Sequence, residues 1–149
     1  EPLWNQYGVF IGNLVRGDLG VSMSSGVPLT RLLFEKLPPT IELALAALIV
    51  SSFIGVGAGV VSSTTRNKFL DYSVRNLSIL GLSVPLFWVG IMLIVVFAVR
   101  LDWLPVGGRI GAGVDYQTVT NFMLLDHVIT GNWVALGSFL QHLTLPALA

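Results

Sequence analysis

Two long apolar runs dominate the chain. Between residues 41 and 61 a series of apolar, small and hydroxyl side chains is interrupted only by Glu42, and between 77 and 99 there is no charge at all before Arg100 and Asp102. At ~1.5 Å per helical residue each run covers a hydrocarbon core of ~30 Å, so the pattern predicts two membrane-crossing helices over 41–61 and 77–99. Period-2 alternation, which a membrane β-barrel requires, is missing. A third apolar run, 143–149, predicts the start of a further crossing. With Glu1 at its head and this run at its end, the chain reads as part of a longer protein.

The polar segments give the runs a direction. Residues 62–76 hold Arg66, Lys68 and Arg75 against Asp71, a dense basic loop, whereas 1–40 hold only Arg16, Arg31 and Lys36, and 100–142 only Arg100 and Arg109. Short cytoplasmic loops carry the positive charge, so 62–76 is expected inside and the two longer segments outside. Within 1–40, Leu3, Tyr7, Phe10 and Leu14 recur at helical spacing with Trp4 and Ile11 beside them, which predicts an amphipathic helix lying at the membrane interface. Gly17-Asp18-Leu19-Gly20 predicts a turn. A second short helix is expected to start near Pro28, with Leu29, Leu32, Leu33 and Leu37 on one face. Pro38-Pro39 should interrupt it, Thr40 should cap the first crossing, and Glu42 should sit in that helix's first turn, facing the dipole. Phe69 and Tyr72 among basic residues predict a short surface helix inside the loop. In 100–142, Trp103 marks the membrane boundary, the glycines from Gly107 to Gly113 predict a turn, and 118–129 a short surface helix.

Composition sharpens this picture. Hydrophobic residues make up 54% of the chain and charged ones 11%, less than half the charge of an ordinary soluble domain at about 25%, so the partners are apolar surfaces and the lipid bilayer. Zero net charge gives no footprint for nucleic acid. Without cysteine there are no disulfides, thiolate metal sites or thiol nucleophiles. No phosphate loop, zinc-protease motif or nucleophile elbow occurs. His127 and His142 are the only histidines, so neither a metal site nor a catalytic group is expected, and no cofactor is assigned to this chain.

The runs do carry packing and bending information. Ala47, Ser51, Gly55 and Gly59 fall at successive i, i+4 positions, a small-residue ridge against which another helix can approach closely. In the second run Pro85 lacks an amide hydrogen and crowds the carbonyl of Gly81, so the helix should kink or open between Gly81 and Pro85, with Ser83 able to satisfy a freed carbonyl. Irregular backbone in lipid is tolerated only against protein or a water-filled cavity. Gly81, Ser83, Pro85 and Trp88 are therefore the candidates for a hinge or the border of a translocation path, with a fixed kink as the alternative.

Four segments resemble a known family. They are Gly17-Asp18-Leu19-Gly20-Val21-Ser22; Leu37-Pro38-Pro39-Thr40-Ile41-Glu42-Leu43-Ala44; Gly81-Leu82-Ser83-Val84-Pro85-Leu86-Phe87-Trp88-Val89-Gly90; and Leu104-Pro105-Val106-Gly107-Gly108-Arg109 with His142-Leu143-Thr144-Leu145-Pro146-Ala147-Leu148. In this order they are similar to the permease subunits of ABC importers of the dipeptide, oligopeptide and nickel class. The resemblance implies an all-α integral membrane protein, a helical bundle of the type I importer kind, of which this chain holds the second, third and the start of the fourth membrane helix. It implies pairing with a second permease, two cytoplasmic ATPase subunits that bind ATP and magnesium, and an extracytoplasmic substrate-binding protein. The implied setting is the multi-pass inner membrane of a prokaryote, and the implied activity is import of small peptides, or related solutes such as nickel or glutathione, by alternating access. The family's cytoplasmic coupling motif would follow Ala149. Two readings of other classes compete: a membrane-embedded enzyme whose catalytic residues lie elsewhere, and a non-transporting scaffold. An intramembrane pair of ionisable residues would favour the enzyme, and 77–99 has none.

Overall fold

The protein is described by a computed structural model covering residues 2–65 and 67–149; Arg66, one of the loop cations, lies outside the described residues. Among the described residues all regular elements are helices, and the chain divides into two compact units, Glu1–Thr40 and Ile41–Ala149.

In the first unit, helix α1 spans Leu3–Val15 and buries none of its residues. It ends where Gly17 takes a left-handed conformation, φ 80°, that a side chain would oppose. Asp18 then donates its amide to the carbonyl of Asn13 at 2.9 Å and accepts the Gly20 amide on its carboxylate at 2.9 Å. A bridge between Val21 and Pro28, with Leu29 N donating to Gly20 O at 2.9 Å, folds the turn onto the start of α2, Leu29–Thr64.

Helix α2 runs through Pro38 and Pro39, which were expected to interrupt it. The proline φ is helical, so each ring costs the helix only its missing donor and local crowding. The lost amides would have served Phe34 and Glu35, and Thr40, in place of capping a new helix, turns its hydroxyl back to the carbonyl of Lys36 at 2.9 Å. That carbonyl is the regular acceptor of Thr40's own amide, so the hydroxyl back-bonds along the helix and does not replace the donors that Pro38 and Pro39 lack. Helix α2 is long and apolar enough to cross a membrane. Its flank is bare hydrocarbon: Phe53 is 78% exposed, and Ile54 and Val56 are also open. A soluble helix of this composition would be packed inside.

Helix α3 spans Lys68–Ser83, begun by Asn67, whose side chain accepts the Phe69 amide. Asp71 in its first turn accepts from Ser62 at the end of α2 and pairs with Arg75 at 3.4 Å. The single helix expected over 77–99 is divided: α3 stops at Ser83, α4 occupies Leu86–Leu93, and the chain continues as a π-helical segment, Ile94–Arg100. The two arms meet at 104°, a turn well beyond the expected kink. Pro85 forces Val84 out of the helical region, and both residues are extended, with ψ near 130°. Two consecutive extended residues redirect a chain where one missing bond only bends it. The π segment closes when Phe97 O accepts Trp103 N at 2.9 Å and Leu104 N at 3.3 Å.

Helices α5, Met123–Thr130, and α6, Trp133–Leu148, complete the second unit. Only Gly131 and Asn132 separate them. Gly131 adopts φ 67° as the end of α5, and Asn132 caps α6 by accepting the Ala135 amide at 3.0 Å while donating to the Asp115 carbonyl at 3.0 Å. Thus α5 begins later than the expected 118–129, and α6 begins well before 143. The fully packed residues Ala98, Met123, Ala135, Phe139 and Leu145 place the core among the π segment, α5 and α6.

Candidate functional site

The charged centre of the second unit is Glu42. It lies inside α2, not in a first turn, and with 9% of its surface exposed it is the one buried glutamate among the described residues. Burying an ionised carboxylate is tolerable only if its lone pairs are met. Both oxygens are: Oε2 accepts from an Arg109 guanidinium nitrogen at 2.9 Å and Oε1 from the Leu124 amide at 2.7 Å. The Leu124 amide belongs to the first turn of α5, where unpaired donors and the positive end of the helix dipole favour an anion. The dipole expected to steady Glu42 is therefore real but belongs to α5.

Two further anchors hold the loop between the π segment and α6. Gly111 donates its amide to Ser138 Oγ at 2.8 Å, an approach so close that a Cβ there would stand 3.1 Å from that hydroxyl. His142 Nδ1 lies 2.7 Å from the Ser138 carbonyl, and because a carbonyl only accepts, that nitrogen carries the proton. Asp126, 1% exposed, accepts from the Val119 amide at 3.0 Å, the Thr120 amide at 2.9 Å and the Thr120 hydroxyl at 2.6 Å. Burial alone would raise its carboxyl, but the hydrogen bonds from Thr120 and Val119 prevail and hold it below the usual aspartate value. Beside it His127 is wholly buried, edge-on to Tyr116 and Phe139, and neither ring nitrogen has a partner among the described residues.

These anchors frame two hollows. The larger, ≈ 650 Å³, is walled by Glu42, Leu45, Ala46, Ile49 and Val50 of α2, by Phe122, Leu124 and Leu125, and by Leu140, Leu143, Thr144, Ala147 and Leu148 of α6. The α2 members recur at helical spacing and so share one face. With both Glu42 oxygens engaged, the hollow offers hydrocarbon and one hydroxyl. That lining packs apolar surface and supplies no base or nucleophile. The second hollow, ≈ 570 Å³, lies between the neighbouring face of α2 and the end of α6, and Ala47, Ser51 and Gly55 of the small-residue ridge line it with Ala147, Leu148 and Ala149. Gly59 does not, and a Cβ on it would meet nothing within 4 Å.

The proposed hinge residues stand apart from both hollows. Gly81 is open on its side-chain face, Pro85 forms the elbow between α3 and α4, and Trp88, 49% exposed, occupies the first turn of α4 with its amide on Pro85 O at 3.0 Å. Ser83 does not serve the Gly81 carbonyl; its hydroxyl reaches the Ile79 carbonyl at 2.9 Å, the one a serine back-bonding along its own helix meets. Sequence reasoning missed the Glu42–Arg109 and Asp126 anchors. In a chain so poor in charge, a glutamate within an apolar run and an arginine within a glycine run were a usable signal, since each needs a partner to leave water. Among the described residues, no three His, Cys, Asp or Glu side chains converge on a metal position.

A membrane-length apolar helix, pinned by a buried carboxylate to a folded loop and facing α6 across hydrocarbon hollows, defines a helical membrane component. The chain belongs to the family of binding-protein-dependent transport system inner membrane components, which it matches over residues 51–149. It is 42% identical over 149 residues to the probable D,D-dipeptide transport system permease protein DdpB of Escherichia coli (strain K12), an alignment covering 99% of this chain and 44% of that protein. It is 38% identical over 151 residues to the di/tripeptide transport system permease protein DppB of Pseudomonas aeruginosa (strain UCBPP-PA14), covering 99% and 44%. To the putrescine export system permease protein SapB of Escherichia coli (strain K12) it is 31% identical over 149 residues, covering 98% and 46%. The chain thus spans a little under half the length of the curated relatives it matches. The expected all-α permease class and family are borne out, and the relatives are permeases, not enzymes.

Proposed function

We propose that this chain is part of the membrane-spanning permease subunit of an ATP-driven importer that moves small peptides into a prokaryotic cell by alternating access. One observation carries the reading: three relatives, 36–42% identical, are named for D,D-dipeptide, dipeptide or di/tripeptide transport, and they align with essentially the whole chain. Neither the enzyme nor the scaffold alternative has comparable support. Nickel, glutathione or a polyamine remains a substrate for the same experiment to distinguish.

In this proposal residues 41–61 and 77–99 both cross the inner membrane, 62–76 faces the cytoplasm, and 1–40 and 100–142 face outward. A second permease, two ATPase subunits carrying ATP and magnesium, and an extracytoplasmic binding protein complete the assembly. The loop held by Glu42, Arg109 and Asp126 gives the outward side a fixed shape, and the elbow at Pro85 is the hinge of the alternating movement. The test is uptake by the full-length permease reconstituted with its companion subunits in proteoliposomes. ATP-dependent accumulation of labelled dipeptides, competed by peptides and not by nickel or putrescine, is expected. Outward movement would overturn the import direction, and accumulation of a non-peptide solute alone would overturn the substrate class.

A further inference from the structure

Helix α1 is the least explained element of the fold. At ~1.5 Å per residue it is ~20 Å long, too short to cross a membrane. Leu3, Tyr7, Phe10 and Leu14 form one stripe at helical spacing, and Trp4 and Val15 widen it. Leu3 is 79% and Trp4 85% exposed, and the helix buries nothing. The opposite face carries Asn5, Gln6 and Asn13, with Val9 its only apolar member. No acidic or basic residue lies within the helix; Arg16 follows it.

We infer that α1 lies flat in the headgroup layer of the bilayer, its Leu3–Tyr7–Phe10–Leu14 stripe toward the acyl chains. Three observations select lipid as the occupant. Tryptophan and tyrosine, each with an apolar body and a polar edge, flank the aliphatic side chains of one face, the composition that the membrane boundary favours. The helix is continuous with an established membrane element: the turn sealed by Val21–Pro28 and by Leu29 N on Gly20 O ties its end to the start of α2. Its polar face is amide, not charge. A helix held by attraction to anionic lipid carries lysine and arginine there; this one is held by hydrocarbon burial alone, so it binds a zwitterionic surface equally well.

The test uses the full-length permease in phosphatidylcholine nanodiscs, with single spin labels introduced by Tyr7→Cys, Phe10→Cys, Asn5→Cys and Asn13→Cys. Labels at 7 and 10 should collide with oxygen and be shielded from a water-soluble nickel chelate. Labels at 5 and 13 should show the reverse, and a third of anionic lipid should change neither. Shielding of 7 and 10 from both reagents, the signature of packing against protein, would overturn the inference. So would access of the nickel chelate to all four, the signature of a helix in water. Because the readout is accessibility, it is independent of whether peptides are transported.

Discussion

Glu42 and Arg109, separated by 67 positions in sequence, meet at 2.9 Å and join the long apolar helix to the loop that follows the π segment. The second Glu42 oxygen takes the Leu124 amide, so one carboxylate fixes three stretches of chain. Arg109→Ala strands a carboxylate whose side chain is 7% exposed. Loss of a hydrogen bond to a charged group costs about 1.5–3 kcal/mol. The lower end is expected here because the Arg109 side chain is 38% exposed and water already screens it. Thermal unfolding of the full-length permease should show this loss for Arg109→Ala, and a double-mutant cycle with Glu42→Gln should give a coupling above ~0.5 kcal/mol. Additive effects would mean that the pair holds nothing.

Asp126 makes an acid-sensitive anchor. Its burial opposes ionisation, but the Thr120 and Val119 hydrogen bonds hold the folded carboxyl below 3.8, its value without such partners. A lowered folded pKa means that the stabilisation is complete above the unfolded value and is lost as pH falls through the folded one, here below about pH 4. Asp126→Asn should therefore be less stable than the parent near neutrality by about 1–3 kcal/mol, and the difference should shrink from pH 5 to pH 3. Melting temperatures across that range decide it; parallel curves would rule the anchor out.

Glycines in the loop divide by mechanism. Gly108, at φ 93°, occupies a region that an alanine enters only with strain of about 1–2 kcal/mol. Gly111 has no such conformation, and its constraint is the Ser138 hydroxyl. Alanine there displaces that hydroxyl and forfeits a bond of about 0.5–1.5 kcal/mol, against which a stiffer unfolded chain returns about 0.4–1 kcal/mol. Gly108→Ala should thus lower the melting temperature while Gly111→Ala is nearly neutral. The reverse order would show that close approach, not backbone conformation, governs this loop.

How much of this was legible follows from range. The apolar run of α2, the turn at Gly17 and the stripe on α1 are local patterns, and each is present as a periodicity in the sequence. Continuity through Pro38-Pro39 was not legible, because the hydroxyl of Thr40 reads equally well as a cap and as a donor to Lys36. The start of α6 was hidden for the opposite reason: hydropathy marks only 143–149, while the true start, Trp133, is set by the Asn132 cap well upstream. Glu42 with Arg109, and Gly111 with Ser138, are contacts between distant segments, and periodicity contains nothing that selects one partner over another.

The elbow between α3 and α4 is where structure and proposed transport bear on each other. Proline in a helix interior costs about 3 kcal/mol, so Pro85→Ala returns most of that to a continuous helix by restoring a donor for the Gly81 carbonyl and removing the ring that drives Val84 to extended geometry. A straight helix would separate positions 77 and 93 by ~24 Å; the 104° bend shortens that span. Spin labels at those positions in the full-length permease should give a shorter distance in the parent and a shift toward the straight value in Pro85→Ala. If the bend is the hinge of alternating access, the same variant should retain assembly with its companion subunits and lose uptake. A lengthened distance with uptake intact would make the elbow a fixed kink, and an unchanged distance would place the cause of the bend outside Pro85.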